Sequence, residues 1–361
     1  MAGEIPEIPG RMVPNDQAYE LRNKVGTLTQ TLKPTFQGSQ PVSFTRSQSL
    51  TALLERDFFV CEKSDGVRVL VLMIMTLAGP QTFFITRKNE YYHVPHVAFP
   101  APEANNFDKF QDGTLIDAEL VFVKMPDGSQ KCKLLAFDAL VVGGKNYMAE
   151  GLERRLGFLY THVIRPFKKM CAAMPPDRAR LQPFFAVVKE FRRSYHVPYI
   201  YDVVIPSLHY KCDGLIFTSV DAPYTIGTCD NIIKWKPASE NSIDFKVSVR
   251  NNVPMLTMWA GGNEYRDFAP MAVRPTNAHR IQSLDGRIVE VRRDPDFAPP
   301  AEWRFMRFRE DKVHGNHMSV VPRILTSIED GLELDELRRM MPQIKENWYR
   351  RDEERARAKL H

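Results

Sequence analysis

Lys63-Ser64-Asp65-Gly66-Val67-Arg68 is the stretch of this chain best equipped for covalent chemistry. An Asp-Gly pair favours a tight turn between strands, which would bring Lys63 and Arg68 to one lip of a sheet. A protonated lysine is a poor nucleophile, so covalent work at Lys63 needs nearby cations or desolvation to lower its pKa. The same six residues also suit an ordinary charged hairpin. Further along, Lys234 and Lys236 are two residues apart in an extended segment, and a regular strand would put both on one face. Glu119 and Asp213 are candidates for a pair of working carboxylates. His314 and His317 have the separation of metal ligands, but two histidines beside a glycine turn do not make a zinc site.

Strands must position these groups. The pattern predicts them at 58–61, 67–77, 83–86, 91–94, 114–124, 132–142, 214–218 and 232–235, with polar turns at 62–66 and 87–90. Segments 149–170 and 177–194 carry recurrent Leu or Phe among Arg and Lys and read as helices. Near the start, Asn15 or Asp16 can cap a short helix carrying Tyr19 and Leu21. The result is an α+β domain with antiparallel sheets. Lys236-Pro237-Ala238-Ser239-Glu240-Asn241 punctuates it. Strands at 243–249, 255–259, 287–291 and 303–308 then predict a small barrel, for which an OB-type barrel is one candidate. From Pro322 the tail reads as helical, with Leu337, Met341, Ile344 and Trp348 on one face and Pro342 expected to break or kink it. Residues 350–359 read as a solvated, charged helix end.

The 361 residues are 43% hydrophobic and 26% charged, with mean hydropathy −0.33. That is enough for a sizeable core and for two domains. Cys61, Cys132, Cys171, Cys212 and Cys229 are dispersed without a C-x-x-C pair, which fits small hydrophobes in a reducing compartment. The opening MAGEIPEIPG has neither a basic nor an apolar signal region. The longest apolar run, 67–78, contains Arg68 and is too short to cross a bilayer, so no membrane partner is expected. A formal charge of +5 permits an anionic partner without requiring one.

The lysine hexapeptide resembles motif I, K-x-D-G-x-R, of the covalent nucleotidyltransferase superfamily. That superfamily contains the messenger-RNA guanylyltransferases and the ATP- and NAD-dependent polynucleotide ligases. Further motifs follow in order. Arg87 resembles the ribose-binding arginine, and Asp117-Ala118-Glu119 resembles motif III, with alanine in place of its usual glycine. Phe137-Asp138-Ala139-Leu140 resembles motif IIIa, Asp213-Gly214-Leu215-Ile216-Phe217 motif IV, and Ile233-Lys234-Trp235-Lys236-Pro237 motif V. The stretch from Trp303 through Arg304, Arg307 and Lys312 resembles motif VI of the guanylyltransferases. Gln40-Pro41-Val42-Ser43-Phe44 and His314-Gly315-Asn316 are similar to the stand-alone fungal type.

The resemblance implies a nucleotidyltransferase catalytic domain of the ATP-grasp-like DNA ligase and mRNA capping type at 1–237. It also implies an OB-fold β-barrel at 238–320, and a helical segment at 321–361 packing partly back on the first domain. Lys63 would attack the α-phosphate of GTP, assisted by Arg68, Lys234 and Lys236, and pass GMP to the 5′-diphosphate end of nascent mRNA. Arg87 and Glu119 would hold ribose, and Phe137 and Ile216 would sandwich guanine. Lys211, ahead of Lys189, would read its polar edge. Glu119 and Asp213 would hold Mg2+ or Mn2+, and Asp117 would serve either the site or the fold. Arg304, Arg307 and Lys312 would reach the β- and γ-phosphates when the domains close, while Asp244 would pair charges. The family also implies a nuclear location, a separate RNA 5′-triphosphatase subunit and the phosphorylated C-terminal repeats of RNA polymerase II as partners. Two rival readings remain: an ATP-dependent polynucleotide ligase, and a non-catalytic RNA-binding module on the same fold.

Overall fold

A computed structural model describes residues 6–31, 33–102, 107–125, 127–273, 281–294 and 296–358. Residues 1–5 of the N-terminal reading and Lys359 of the charged run lie outside the described residues. The chain divides into two compact units. The first takes residues up to Val42, then Leu53–Trp235 and the chain from Met341; the second takes Ser43–Ala52 and Lys236–Met340.

The first unit contains two sheets. One runs in the order Arg11–Met12, Tyr91–His93, Gly79–Thr86, Val67–Thr76, Thr114–Lys124, Gln130–Val142, Phe184–Val188. Only the last pairing is parallel. Strand alternation splits its side chains between two cores. Val69, Val71 and Met73 pack with Leu159, Val163, Phe167 and Met170 of the helical run spanning 152–173. Leu70, Leu72 and Ile74 pack with Ala18, Leu21 and Val25 of the helix Asn15–Thr29. The second sheet runs Arg192–Arg193, Phe58–Ser64, Cys212–Ser219, Gly227–Trp235, Ser39–Ser43. The short connection at Asp65-Gly66 is where the chain leaves this sheet and enters the other, so the hairpin that the sequence also allowed does not form: Phe58–Ser64 and Val67–Thr76 pair with other strands.

The helix expected over 177–194 is replaced by a short helix, Pro176–Arg180, and the strand Phe184–Val188. Pro183 ends the helical pattern, and the aromatic and β-branched run Phe-Phe-Ala-Val-Val extends beside Gln130–Val142. The expectation that Pro342 breaks the final helix also fails, because Leu334–Ala358 runs through it. Leu337, Met341, Ile344 and Trp348 are all buried, so packing outweighs the lost backbone donor. Within the first unit this helix is anchored where Arg351 meets Asp57 at 2.8 Å and Trp348 stacks near Phe59.

In the second unit, Ser242–Arg250, Val253–Gly261, Glu264–Ala272, Trp303–Phe308 and Ile288–Arg293 close into a barrel. This is the strand count of the OB-type fold. Phe245, Val247, Leu256, Val289, Val291 and Trp303 fill it, and Val321 of the helix Val321–Glu329 packs against them. Residues 43–52, far away in sequence, join this unit. There Arg46 pairs with Glu336 at 2.8 Å and the Ser47 hydroxyl donates to Asp330 at 2.7 Å. All five cysteines are free. No helix among the described residues is long and apolar enough to cross a membrane.

Candidate active site

The two sheets of the first unit face each other across a cavity of about 290 Å³. Its walls follow from strand alternation. Cys61 and Lys63 project from one strand, Ile216 and Thr218 from its neighbour, and Ile232 and Lys234 from the next, with Cys61, Ile216 and Lys234 in register. Arg68, Asp117, Glu119 and Phe137 line the wall formed by the other sheet. An open groove of about 470 Å³ adjoins the cavity and shares Lys63, Ser64, Arg68, Arg87 and Glu119 with it. The Lys63 side chain therefore stands where an enclosed, partly apolar cavity opens onto a polar groove.

The turn after Lys63 tolerates only glycine at its second position. A Cβ on Gly66 would lie 2.3 Å from the Leu120 carbonyl oxygen. The Gly66 amide donates to Glu119 Oε1 at 3.2 Å, and the Asp65 amide donates to the Lys211 carbonyl at 2.9 Å. On the other side, the pairing of Cys212–Ser219 with Phe58–Ser64 shifts register between Cys212 and Leu215. Asp213 lies in this irregularity, and such bulges re-aim side chains. Its Oδ1 is 2.5 Å from Lys63 Nζ.

Beneath the lip lies a buried network. Arg68 makes a two-point contact with Asp117, Nε to Oδ1 at 2.9 Å and Nη2 to Oδ2 at 2.6 Å, and also donates to the Ser39 carbonyl. Tyr224 donates to Asp117 Oδ2 at 2.6 Å while its oxygen accepts from the Ser39 amide at 3.0 Å. Burial presses the Arg68 pKa down, but the charge and hydrogen bonds of Asp117 outweigh it and hold the guanidinium above its ordinary value. Asp117, left open between site and fold by the sequence, is fully buried and fixes Arg68. Behind Phe137, Asp138 receives Arg155 Nε at 2.7 Å and Nη2 at 2.9 Å.

Phe137 is half-buried and faces the cavity, with Arg68 5.5 Å and Lys189 5.7 Å from its ring centre. Lys189 Nζ donates to Ser64 Oγ at 2.6 Å and lies 3.6 Å from Glu62. Burial lowers its pKa, but Glu62 leads the neighbours that raise it above its ordinary value, so this buried lysine is a cation. Lys234 lies open at the mouth, yet desolvation and then the charges of Lys63 and Arg87 lower its pKa, against the pull of Asp213. Lys63, Arg87 and Lys234 thus form a cluster of mutually repelling cations, tempered by one carboxylate.

Two sequence expectations change here. Lys211 lies outside the cavity, 61% exposed and paired with Asp65 at 2.9 Å, whereas Lys189 lines it. Lys211 sits on the segment before the bulge and lines a separate groove outside the cavity. Lys236 does not share a strand face with Lys234, because Gly227–Trp235 ends one residue earlier and Lys236 groups with the second unit. Ser39, Tyr224, Arg155 and Glu62 support the site without any local motif, since distant segments bring them there.

In the barrel unit, Asp244 binds Arg309 Nη1 at 3.0 and 2.9 Å and also pairs with Lys312. Arg307 Nε meets Glu290 at 2.6 Å, and Arg304 lies 3.4 Å from Asp294. The expected motif VI cations are thus ordered by carboxylates, and Arg309, absent from the expected set, is the most enclosed of them. His314 stacks flat on Trp259 at 4.5 Å and bonds Tyr265 at 2.7 Å, and His317 bonds Ser319 at 2.8 Å. Among the described residues no three His, Cys, Asp or Glu side chains gather as a metal cage. Glu119 and Asp213 suit a hard cation held chiefly by substrate oxygens and water.

The family model described as mRNA capping enzyme, catalytic domain, matches residues 4–238. The mRNA capping enzyme C-terminal domain matches 240–338. The mRNA-capping enzyme subunit alpha of Schizosaccharomyces pombe is 35% identical over 364 residues, covering 95% of this chain and 89% of that protein. The subunit alpha of Saccharomyces cerevisiae is 34% identical, covering 97% of this chain and 88% of its own. Among solved structures, a mycobacterial DNA ligase D complexed with ATP and MES covers 76% of this chain and 95% of its own at 12% identity, with a TM-score of 0.39. With both family models matched in order from residue 4 to residue 338 around this lysine-lipped cavity, the chain belongs to the mRNA capping enzyme family.

Proposed function

We propose that the chain is a GTP–RNA guanylyltransferase with Lys63 as its nucleophile. The observation that carries this reading is the position of Lys63, on the boundary between a base-sized cavity and a cation-lined groove. Lys63 Nζ, as the free amine, attacks the α-phosphorus of GTP. An N–P bond forms, the bond to the β-bridging oxygen breaks, pyrophosphate leaves with the electron pair, and the nitrogen releases its proton. A terminal oxygen of the RNA 5′-diphosphate then attacks the same phosphorus. The N–P bond breaks, the lysine regains a proton, and the product is GpppN-capped RNA. Lys234 and Arg87 face the phosphate oxygens as charge accumulates. Mg2+ or Mn2+, held by Asp213 and Glu119 with substrate oxygens, would add charge stabilisation at the phosphates when bound. Labelled GTP and labelled ATP, each followed by a denaturing gel, test this reading. Retention of AMP and not GMP would make the chain a ligase, and retention of neither would leave the binding module.

Guanine enters the cavity, stacking between Phe137 and Ile216, and the charged Lys189 is the donor placed for its polar edge. Phe137→Ala is expected to weaken GTP binding by about 1–3 kcal/mol, the value of one base–aromatic stack. Isothermal titration showing unchanged affinity would return Phe137 to a packing role. In the barrel, Arg304, Arg307 and Lys312 serve the leaving pyrophosphate. Arg307→Ala should therefore slow formation of the enzyme–GMP adduct about 10²-fold or more, as loss of a single charge-stabilising donor does, and slow its transfer far less. Equal losses in a rapid-quench separation of the half-reactions would refute that role.

The subunit-alpha relatives imply a partner subunit, and we assign that place to an RNA 5′-triphosphatase, with action in the nucleus. The phosphorylated C-terminal repeats of RNA polymerase II are the further partner. Their phosphates give basic surfaces a charge-assisted target. Fluorescence anisotropy should show tighter binding of phosphorylated than of unphosphorylated repeat peptides, and equal binding would count against this partner.

A further inference from the structure

Outside the Asp65-Gly66 turn, a second groove of about 180 Å³ is lined by Asp65, Phe122, Lys124, Gln130, His209, Tyr210 and Lys211. Asp65 belongs both to this groove and to the open groove that holds Lys63, so the two meet at the turn. The strand Val67–Thr76 begins two residues after Asp65, whereas its neighbour Thr114–Lys124 runs on beyond that point. The segment 209–211 fills the vacated sheet edge: the Lys124 amide donates to the His209 carbonyl at 3.3 Å, and the Asp65 amide to that of Lys211. Lys124, His209 and Lys211 are exposed on its rim, and Phe122 is half-buried beneath.

Among the described residues lining this groove, the one carboxylate, Asp65, is paired with Lys211 at 2.9 Å, both side chains largely open to water at 41% and 61% exposure. An exposed pair of this kind holds together weakly, and a phosphate can compete for the lysine. Beyond the half-buried Tyr210, Lys133 lies 5.5 Å from the Tyr210 ring and 5.6 Å from the ring of Phe185, itself 37% exposed. Cations interleaved with aromatic rings are the surface that tracks a single-stranded nucleic acid, with charges for phosphates and rings for bases.

We infer that this groove is the track for the acceptor RNA, holding the nucleotides behind its 5′-diphosphate as that end reaches Lys63. The inference rests on the guanylyltransferase reading, because only a second, polymeric substrate needs a track leading to the lip. Lys124 and His209 bind phosphates of the RNA body and take no part in the chemistry of GTP.

The full-length Lys124→Glu variant and the Lys124→Ala/His209→Ala double variant test this against the wild type. Four readouts are needed: adduct formation from labelled GTP, transfer to a 5′-diphosphate oligoribonucleotide, anisotropy of that RNA against salt, and anisotropy of a phosphopeptide. Adduct formation should stay within two-fold of wild type, while RNA affinity and the KM for RNA each worsen about ten-fold for Lys124→Glu. The salt slope should fall by about 0.7 for each phosphate that the variant no longer neutralises. Unchanged RNA affinity in both variants would overturn the inference. So would unchanged RNA affinity with lost binding of a phosphopeptide, which would make the occupant a protein. A wild-type protein that forms no GMP adduct would instead refute the guanylyltransferase reading beneath it.

Discussion

Lys63→Ala is expected to leave no GMP on the protein after denaturing electrophoresis, while circular dichroism and the unfolding midpoint stay close to wild type. The first outcome follows because Arg68 and Arg87 cannot be deprotonated to attack phosphorus, while Lys234 and Lys189, the other amines lining the cavity, serve the phosphate oxygens and the base in the proposed reaction. The second follows from exposure. Lys63 and Asp213 are 28% and 22% exposed, so removing their 2.5 Å ion pair should cost on the order of 1 kcal/mol or less. Lys63→Arg should be equally inactive, which separates loss of the nucleophile from loss of the charge. A further readout is specific to this cluster. Removing the Lys63 charge relieves repulsion on Lys234, so the Lys234 ammonium should titrate at a higher pH in Lys63→Ala. Nitrogen-15 NMR of the lysine amines reads that shift. An undiminished adduct in a folded Lys63→Ala protein would exclude Lys63 as the nucleophile.

Asp117→Ala carries the largest expected loss of stability. Asp117 and Arg68 are 0% and 7% exposed, and removing the carboxylate strands a guanidinium in the interior. Breaking a buried pair from one side costs about 3–5 kcal/mol. The Tyr224 hydroxyl loses its acceptor at the same time, so the variant should unfold at a clearly lower urea concentration. The Arg68→Ala/Asp117→Ala double variant should lose less than the sum of the two single variants, because the second change removes the stranded partner. Strict additivity would show that the two side chains do not act as a pair. Tyr224→Phe should cost about 1 kcal/mol, the net value of one hydrogen bond, by the same denaturation measurement.

The lysine lip could be read from the sequence because its determinants are local. Asp65-Gly66 specifies a tight turn, the strands on either side alternate, and period-two alternation alone places Cys61 with Lys63, and Ile232 with Lys234, on one side. The motif types in order carried the family, and the spacing of short strands after Lys236 carried the barrel. These features need nothing beyond neighbours a few residues away.

Tertiary structure decided whatever depends on which distant segments become neighbours. Lys189 and Lys211 are both lysines near motifs. Only the parallel pairing of Phe184–Val188 with Gln130–Val142 takes Lys189 beneath Phe137, and only the bulge at Asp213 leaves Lys211 outside. Asp117 could have served the site or the fold until burial beside Arg68, Ser39 and Tyr224 made it the counter-charge of an interior cation. Residues 43–52 join the barrel unit through Asp330 and Glu336, almost three hundred positions later, and no local pattern records that. Pattern and propensity fix what a segment can form, whereas desolvation and charge pairing depend on the whole set of groups around a side chain, and the fold alone assembles that set.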